Sequence, residues 1–271
     1  MKRIFVAIIA ACAAMMVFAQ DKPAGAKVIP FADPFILYEG GLYYLYGTGS
    51  SDGIAVVVSE DMKSWEWPQG KDMYVALHKD DSYGDHWFWA PEVYKVGDRY
   101  IMYYSAEEHI CMAESSSPLG PFRQKVQKPM REHKGIDNHL FIDKNGKPYL
   151  FWVNFNPSNQ VWVAELEDDL ETIIPGTERM CTRMDQEWEK KWPEVNEGPF
   201  VLRHKGKYYM TYSANSYESP DYGVGYAVAD SPEGPWTKFE GNPILHRTGG
   251  LEGVGHHAFF KDAKGRNRIV F

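Results

Sequence analysis

The sequence predicts an all-β fold: a five-bladed β-propeller whose fifth blade is incomplete in this chain. One hairpin pattern occurs five times, and a second pattern follows four of the five copies. The interval between copies suits a four-stranded blade.

The hairpin joins an apolar strand, a glycine-containing turn and a tyrosine-rich strand. Its copies start at Pro34, Pro91, His139, Pro199 and His257. Gly41, Gly97, Gly146, Gly206 and Gly265 mark the turns, 56, 49, 60 and 59 residues apart. Glycine suits such turns because they need positive φ. The three prolines stand at strand starts, where a missing N–H is tolerated. The second pattern begins at Ile54, Ile110, Val161 and Val224 and supplies the outer half of each blade. A Ser-Pro-x-Gly-Pro-aromatic turn closes it at both 117–122 and 231–236. The fifth hairpin has no such partner before Phe271. The propeller domain is therefore assigned to 31–271 as C-terminally truncated. A β-sandwich would not predict one hairpin type recurring with a matched second half. The only helical expectation is a short turn at Glu187–Lys191.

Composition agrees with this. The 271 residues are 44% hydrophobic and 24% charged, enough for one large packed domain. The aromatic share of 15% suits β-strands and also sugar-stacking surfaces. A net charge of −8 argues against a nucleic-acid partner, which would need clustered Lys and Arg.

Lys2 and Arg3 precede an apolar run from Ile4 to Phe18, with Ala19 after it. This reads as a signal peptide over 1–19, followed by an N-terminal segment over 20–30. The expected location is secreted or periplasmic, without stable membrane insertion, because the run is short for a span. A lipoprotein cut before Cys12 ranks second. Removing 1–19 takes the charge to −10 and leaves Cys111 and Cys181, read as two buried thiols rather than a bridge.

In a propeller the inner strands run the same way along the central channel, so their starts meet on one face. The residues there are Asp33, Ala90 beside Trp89, Asp137, Glu197 and His256. Three carboxylates in phase with a repeat repel one another and lose hydration, which no fold adopts for stability. Such clusters mark sites.

These motifs resemble glycoside hydrolase family 43. They are Ala32-Asp-Pro-Phe35, Trp89-Ala-Pro-Glu-Val93, Ile136-Asp137, Asn196-Glu-Gly-Pro199 and Gly253-Val-Gly-His-His257, running in order from Val28 to the C-terminus. The resemblance implies an inverting enzyme on arabinose- or xylose-containing polysaccharides. The first expectation is an exo-acting α-L-arabinofuranosidase or β-xylosidase. An endo-arabinanase and a non-catalytic sugar-binding propeller are the alternatives. By the same resemblance Asp33 is the general base, Glu197 the general acid, and Asp137 the carboxylate that tunes the acid. Inversion requires base and acid about 6.5–9.5 Å apart, which separate blades can supply. Asn138 and His139 depart from the pair many relatives carry. The resemblance implies no required cofactor, but it allows a calcium ion in the channel, water-linked to His256, since calcium prefers oxygen ligands. Phe88, Trp89, Asn215 and Tyr217 are the sugar-binding candidates. For each of them packing or loop capping is the competing reading.

Overall fold

The computed structural model describes residues 31–191 and 193–271. The expected signal peptide and N-terminal segment lie outside the described residues.

Blade one contains β1 (Ala32–Glu39), β2 (Leu42–Ser50), β3 (Gly53–Ser59) and β4 (Val75–His78), in that order across the sheet. Blade two contains β5 (Trp89–Val96), β6 (Arg99–Ala106) and β7 (His109–Ser115), and a single bridge from Glu114 to Arg123 extends its outer edge. Blade three contains β8 (Gly135–Ile142), β9 (Pro148–Asn154), β10 (Gln160–Glu165) and β11 (Arg179–Thr182). Blade four contains β12 (Asn196–His204), β13 (Lys207–Ala214), β14 (Gly223–Ala229) and β15 (Thr237–Lys238). A small hairpin follows, β16 (Arg247–Thr248) with β17 (Leu251–Glu252). The fifth repeat contributes two strands, β18 (Ala258–Lys261) and β19 (Asn267–Val270). The five turn glycines all have positive φ, between 61° and 90°. The expected helical turn is a 3₁₀ turn at Glu187–Glu189.

Each blade alone has two apolar faces, so blades are stable only when stacked. Leu45, Tyr46, Ile54 and Val56 of blade one pack with Met102, Tyr104 and Cys111 of blade two. Ala258 and Val270 of the fifth hairpin join the same core and bring it against blade one. Ala263 N–H donates to the Tyr43 hydroxyl at 2.8 Å across that join. Cys111 and Cys181 are both buried free thiols. Among the described residues, no helix is long and apolar enough to cross a membrane.

A charged knot lies under blade four. The Glu189 side chain is fully buried, and Lys238 Nζ meets its two oxygens at 2.7 and 2.8 Å. The same ammonium donates to Arg183 O and to Asn196 Oδ1, and Tyr212 OH donates to Glu189. Removing one partner of a buried pair strands the other charge. Lys238→Met is therefore expected to cost about 3–5 kcal/mol, read as a lowered urea midpoint. Lys238→Met with Glu189→Leu should recover part of the loss, because no buried charge is then left unpaired.

Candidate active site

The inner strand of each blade begins with a kink. The register of β1, β5, β8 and β12 with its partner slips at this point, as in a β-bulge. One residue per blade there takes positive φ: Asp33 (49°), Ala90 (47°), Asp137 (56°), Gly198 (54°) and His256 (45°). The kink aims that residue toward the channel axis. Asp33, Asp137 and His256 gather in this way. His256 Nδ1 lies 3.3 Å from Asp33 Oδ1 and 3.9 Å from Asp137 Oδ2.

Blade four departs from the phase read in the sequence. Gly198 takes the kinked position, and Glu197 is one residue earlier. The Glu197 carboxyl has partners of its own. Tyr222 OH donates to Oε1 at 2.8 Å, and Asn159 Nδ2 donates to Oε2 at 3.2 Å. Asp137 connects the two blades, since Gly198 N–H donates to its Oδ2 at 2.9 Å. Thr48 Oγ1 donates to Asp33 Oδ2 at 2.5 Å.

These surroundings act on Asp137 and Glu197. Burial pushes Glu197 up to about 7, and the neighbouring Asp137 adds to the rise. Burial also raises Asp137, to about 6, against the relief given by His256. Burial alone disfavours a charged His256, but Asp33, Asp137 and Glu197 outweigh it and raise its pKa. The ring thus contains a carboxyl that holds its proton near neutral pH and an imidazole that favours its charged form. Burial and the nearby carboxylates push Tyr222 well above the usual phenol range, so it remains a hydroxyl donor.

The sugar-binding candidates divide. Trp89 is half-buried and stacks on Trp87, with centroids 5.7 Å apart and planes 18° from parallel. Phe88 is 2% exposed and packs in the core against Tyr104. Trp87 takes positive φ (57°) just before β5 and is exposed beside Trp89, while Phe88 lies in the core. The exposed aromatic pair of this run is therefore Trp87–Trp89, and the expected candidate Phe88 is packed in the core instead. Asn215 is also corrected. It is fully buried, its amide donates to Trp188 O and Asp221 O, and its Oδ1 accepts from Lys191 N–H. It caps its loop and has no group left for a sugar. Tyr217 is 71% exposed on the same loop. Its hydroxyl feels the charges of Glu197 and Asp33, which puts it near the ring.

Asn138 faces away from the ring, donating to Cys111 O. His139 is buried between blades, with Nδ1 2.9 Å from Glu92 Oε2 and Nε2 accepting from Val201 N–H. Sequence reading missed Tyr222, Asn159, Thr48 and Glu92. Glu92 stands in the blade-two motif, three residues after Trp89. Thr48 stands near the end of β2 and Asn159 in the loop before β10, where the second and third strands of their blades join.

Calcium prefers oxygen ligands. His256 directs Nδ1 at two carboxylates and favours the protonated state, which is the chemistry of a counter-ion. That arrangement suits a counter-ion better than direct ligation of calcium. Among the described residues, the group that brings three metal-competent atoms together is Asp85, His86 and Glu107, and it includes none of the ring residues.

Comparison with known proteins agrees with this geometry. The family model of glycosyl hydrolases family 43 matches residues 28–271. The chain is 44% identical to an endo-1,4-beta-xylanase from Bacteroides thetaiotaomicron of known structure, with a TM-score of 0.85 over 89% of this chain and 84% of that one. An endo-arabinase from the same organism aligns at 26% identity and a TM-score of 0.73, over 92% of this chain and 90% of that one. An extracellular exo-alpha-(1->5)-L-arabinofuranosidase from Streptomyces chartreusis is 27% identical over 67% of this chain and 61% of its own length. A relative of the same description from Streptomyces avermitilis is 26% identical over 71% of this chain. The match spans 44% of that protein.

The Glu197 environment predicts two opposite shifts. The Tyr222 hydrogen bond favours the Glu197 anion, so Tyr222→Phe should raise its pKa. The Asp137 charge disfavours that anion, so Asp137→Asn should lower it. Titration of the carboxyl carbons by ¹³C NMR would follow both. Shifts in the same direction, or none, would refute the assignment of partners.

Proposed function

The chain belongs to glycosyl hydrolases family 43, and from that premise we propose that it hydrolyses glycosidic bonds in arabinose- or xylose-containing polysaccharides with inversion. One observation carries this reading. The three carboxyls sit in one ring, yet one of them holds its proton near neutral pH while the others face a cation.

Glu197 is the general acid. Its raised pKa keeps a proton available for the leaving oxygen, and Tyr222 and Asn159 hold the carboxyl in one orientation. Asp137 acts on Glu197 rather than on the bond. It accepts from the amide next to Glu197, and its charge opposes ionisation of the acid. Asp33 enters from blade one and is the general base. Thr48 fixes one of its oxygens and His256 faces the other, leaving the carboxylate aligned to take a proton from water. Water then attacks the anomeric carbon on the face opposite the leaving oxygen, the bond to that oxygen breaks, and Glu197 protonates it. Trp87 and Trp89 supply a flat apolar face beside the ring, suited to a sugar.

The relatives' names include both exo- and endo-acting enzymes on arabinose polymers, and a xylanase. A panel of nitrophenyl arabinofuranoside, nitrophenyl xyloside, arabinan and xylan, with product sizes measured, separates these specificities.

Glu197→Gln is expected to lose about 10²–10⁴-fold on polysaccharide and much less on activated aryl glycosides, whose leaving groups need little protonation. Proton NMR of the first product should give the anomer opposite to the substrate. Retention would require carboxyls only about 5–5.5 Å apart and would overturn the role of Asp33.

The reading includes action outside the cytoplasm. The Lys2–Ala19 pattern and the extracellular descriptions of the Streptomyces relatives support it. Exported protein should begin at Gln20 by intact mass, and exported protein retaining Met1 would contradict it.

A further inference from the structure

One glycine beside the ring has no conformational reason to be glycine. Gly255 directly precedes the kinked His256, yet it is not among the residues with left-handed φ. The strain that explains the turn glycines does not apply to it.

The reason is steric. A Cβ at position 255 would lie 2.2, 2.3 and 2.5 Å from Cε1, Cδ1 and Cζ of Tyr222. Non-bonded carbons pack at about 3.5–4.0 Å, so the phenol ring occupies the place of the missing side chain. The ring is only 4% exposed, which leaves it little room to retreat. The backbone on the other side is held as well, because His256 N–H donates to Ser213 Oγ at 2.8 Å.

This slot aims the Tyr222 hydroxyl, which donates to Glu197 Oε1 at 2.8 Å. Two backbone contacts fix where the side chain starts. Tyr222 N–H donates to Ser219 O at 3.0 Å. One residue earlier, Asp221 O accepts from the Asn215 amide at 2.9 Å. Asn215 is itself anchored by Trp188 O and Lys191 N–H. The tyrosine is thus held at its backbone end by Asn215 and along its ring by Gly255. Clearing a Cβ at 255 would take a movement of about 1 Å or more. A movement of that size takes the hydroxyl out of range or off the line of its bond to Glu197.

We propose that Gly255 is a positioning residue of the reaction, whose missing side chain seats the Tyr222 ring so that its hydroxyl holds Glu197 in the orientation from which it protonates the leaving oxygen. Asn215 serves the same end from the backbone side. The proposal rests on the reading of Glu197 as the general acid.

The test is Gly255→Ala in the full chain, with the Glu197 carboxyl titrated by ¹³C NMR, which needs no turnover. The Tyr222 bond favours the Glu197 anion, so its loss should raise the pKa, by about one pH unit. General loosening of the site acts the other way. Burial is the largest cause of the raised pKa, and admitting water would lower it. The charged groups that act on Glu197, namely Asp137, His256 and Asp33, are present in every variant. An upward shift is expected for Gly255→Ala, and no further shift when it is added to Tyr222→Phe. A downward shift, no shift, or the same upward shift in the Tyr222→Phe background would overturn the proposal. In turnover, Gly255→Ala should lose about tenfold on polysaccharide and much less on activated aryl glycosides, and equal losses would count against it. A second variant covers the case in which Gly255→Ala does not fold. Tyr222→Ala vacates the space of the ring, so Gly255→Ala combined with it should fold and melt as Tyr222→Ala alone does. Failure of that combination to fold would overturn the steric account. A shifted Glu197 in a chain that cleaves no glycoside refutes the hydrolytic reading alone, and an unshifted Glu197 in an active variant refutes only the positioning role.

Discussion

The architecture depends on a left-handed kink at the start of each inner strand. Four of the five kinked residues are not glycine, and each of those costs about 1–3 kcal/mol in backbone strain. Hydrogen bonds between blades offset the cost. Ala90 N–H donates to Thr48 Oγ1, Asp137 N–H to Ser105 Oγ, and His256 N–H to Ser213 Oγ, at 2.8–3.1 Å. In each case the hydroxyl belongs to an earlier blade's second strand. It stands opposite the residue just before that blade's own kink. One device therefore bends the strand, aims a side chain at the axis and ties adjacent blades together.

Blade three breaks the pattern, and the break explains the pairing of two acids. The position occupied by Thr48, Ser105 and Ser213 in the other blades is Val153 here, opposite Ile136. Valine cannot accept a hydrogen bond, so the kink amide of blade four needs another partner. It finds the Asp137 carboxylate. Asp137 thus does structural work that a hydroxyl does elsewhere, and this work holds its charge beside Glu197. With glycine at the kink of blade four, the acid side chain is displaced by one residue. It reaches Tyr222 and Asn159 rather than His256. The acids differ because the repeat is imperfect.

Much of this was legible in the sequence, because a propeller writes its period into the chain. Five turn glycines and five strand starts fixed the blades and brought Asp33, Asp137 and His256 to one face. The phase of Glu197 was not legible. Asn196-Glu-Gly-Pro aligns with Ala32-Asp-Pro only if the extra glycine is ignored, and only backbone geometry shows that Gly198 takes the kink. Tyr222 and Asn159 come from loops with no periodic signal. Phe88 was misread because the His86–Trp89 run was treated as one surface. The backbone turns at Trp87, where φ is 57°, so that Trp87 is exposed while Phe88 is buried. Asn215 shows the opposite problem. Its type suited both a sugar ligand and a loop cap, and only its three backbone partners decide for the cap.

The charge balance of the ring follows from the same imperfection. Three carboxyls packed over an apolar channel could not all ionise, since each buried charge raises the cost of the next. His256 faces two of them, within 3.9 Å of each, and offsets that cost. The third acid lies farther along the ring, where burial and the charge of Asp137 act on it with less relief. One cation placed against two of the three acids leaves Glu197 as the carboxyl raised furthest, to about 7. The blade-four strand that carries it is held from beneath by Asn196, which accepts from the same ammonium that neutralises Glu189. A protonated acid in a low-dielectric ring works only if it does not wander toward its neighbours. The buried Lys238 knot holds the residue directly before Glu197 and therefore bears on the positioning of that carboxyl as well as on the stability of the blade.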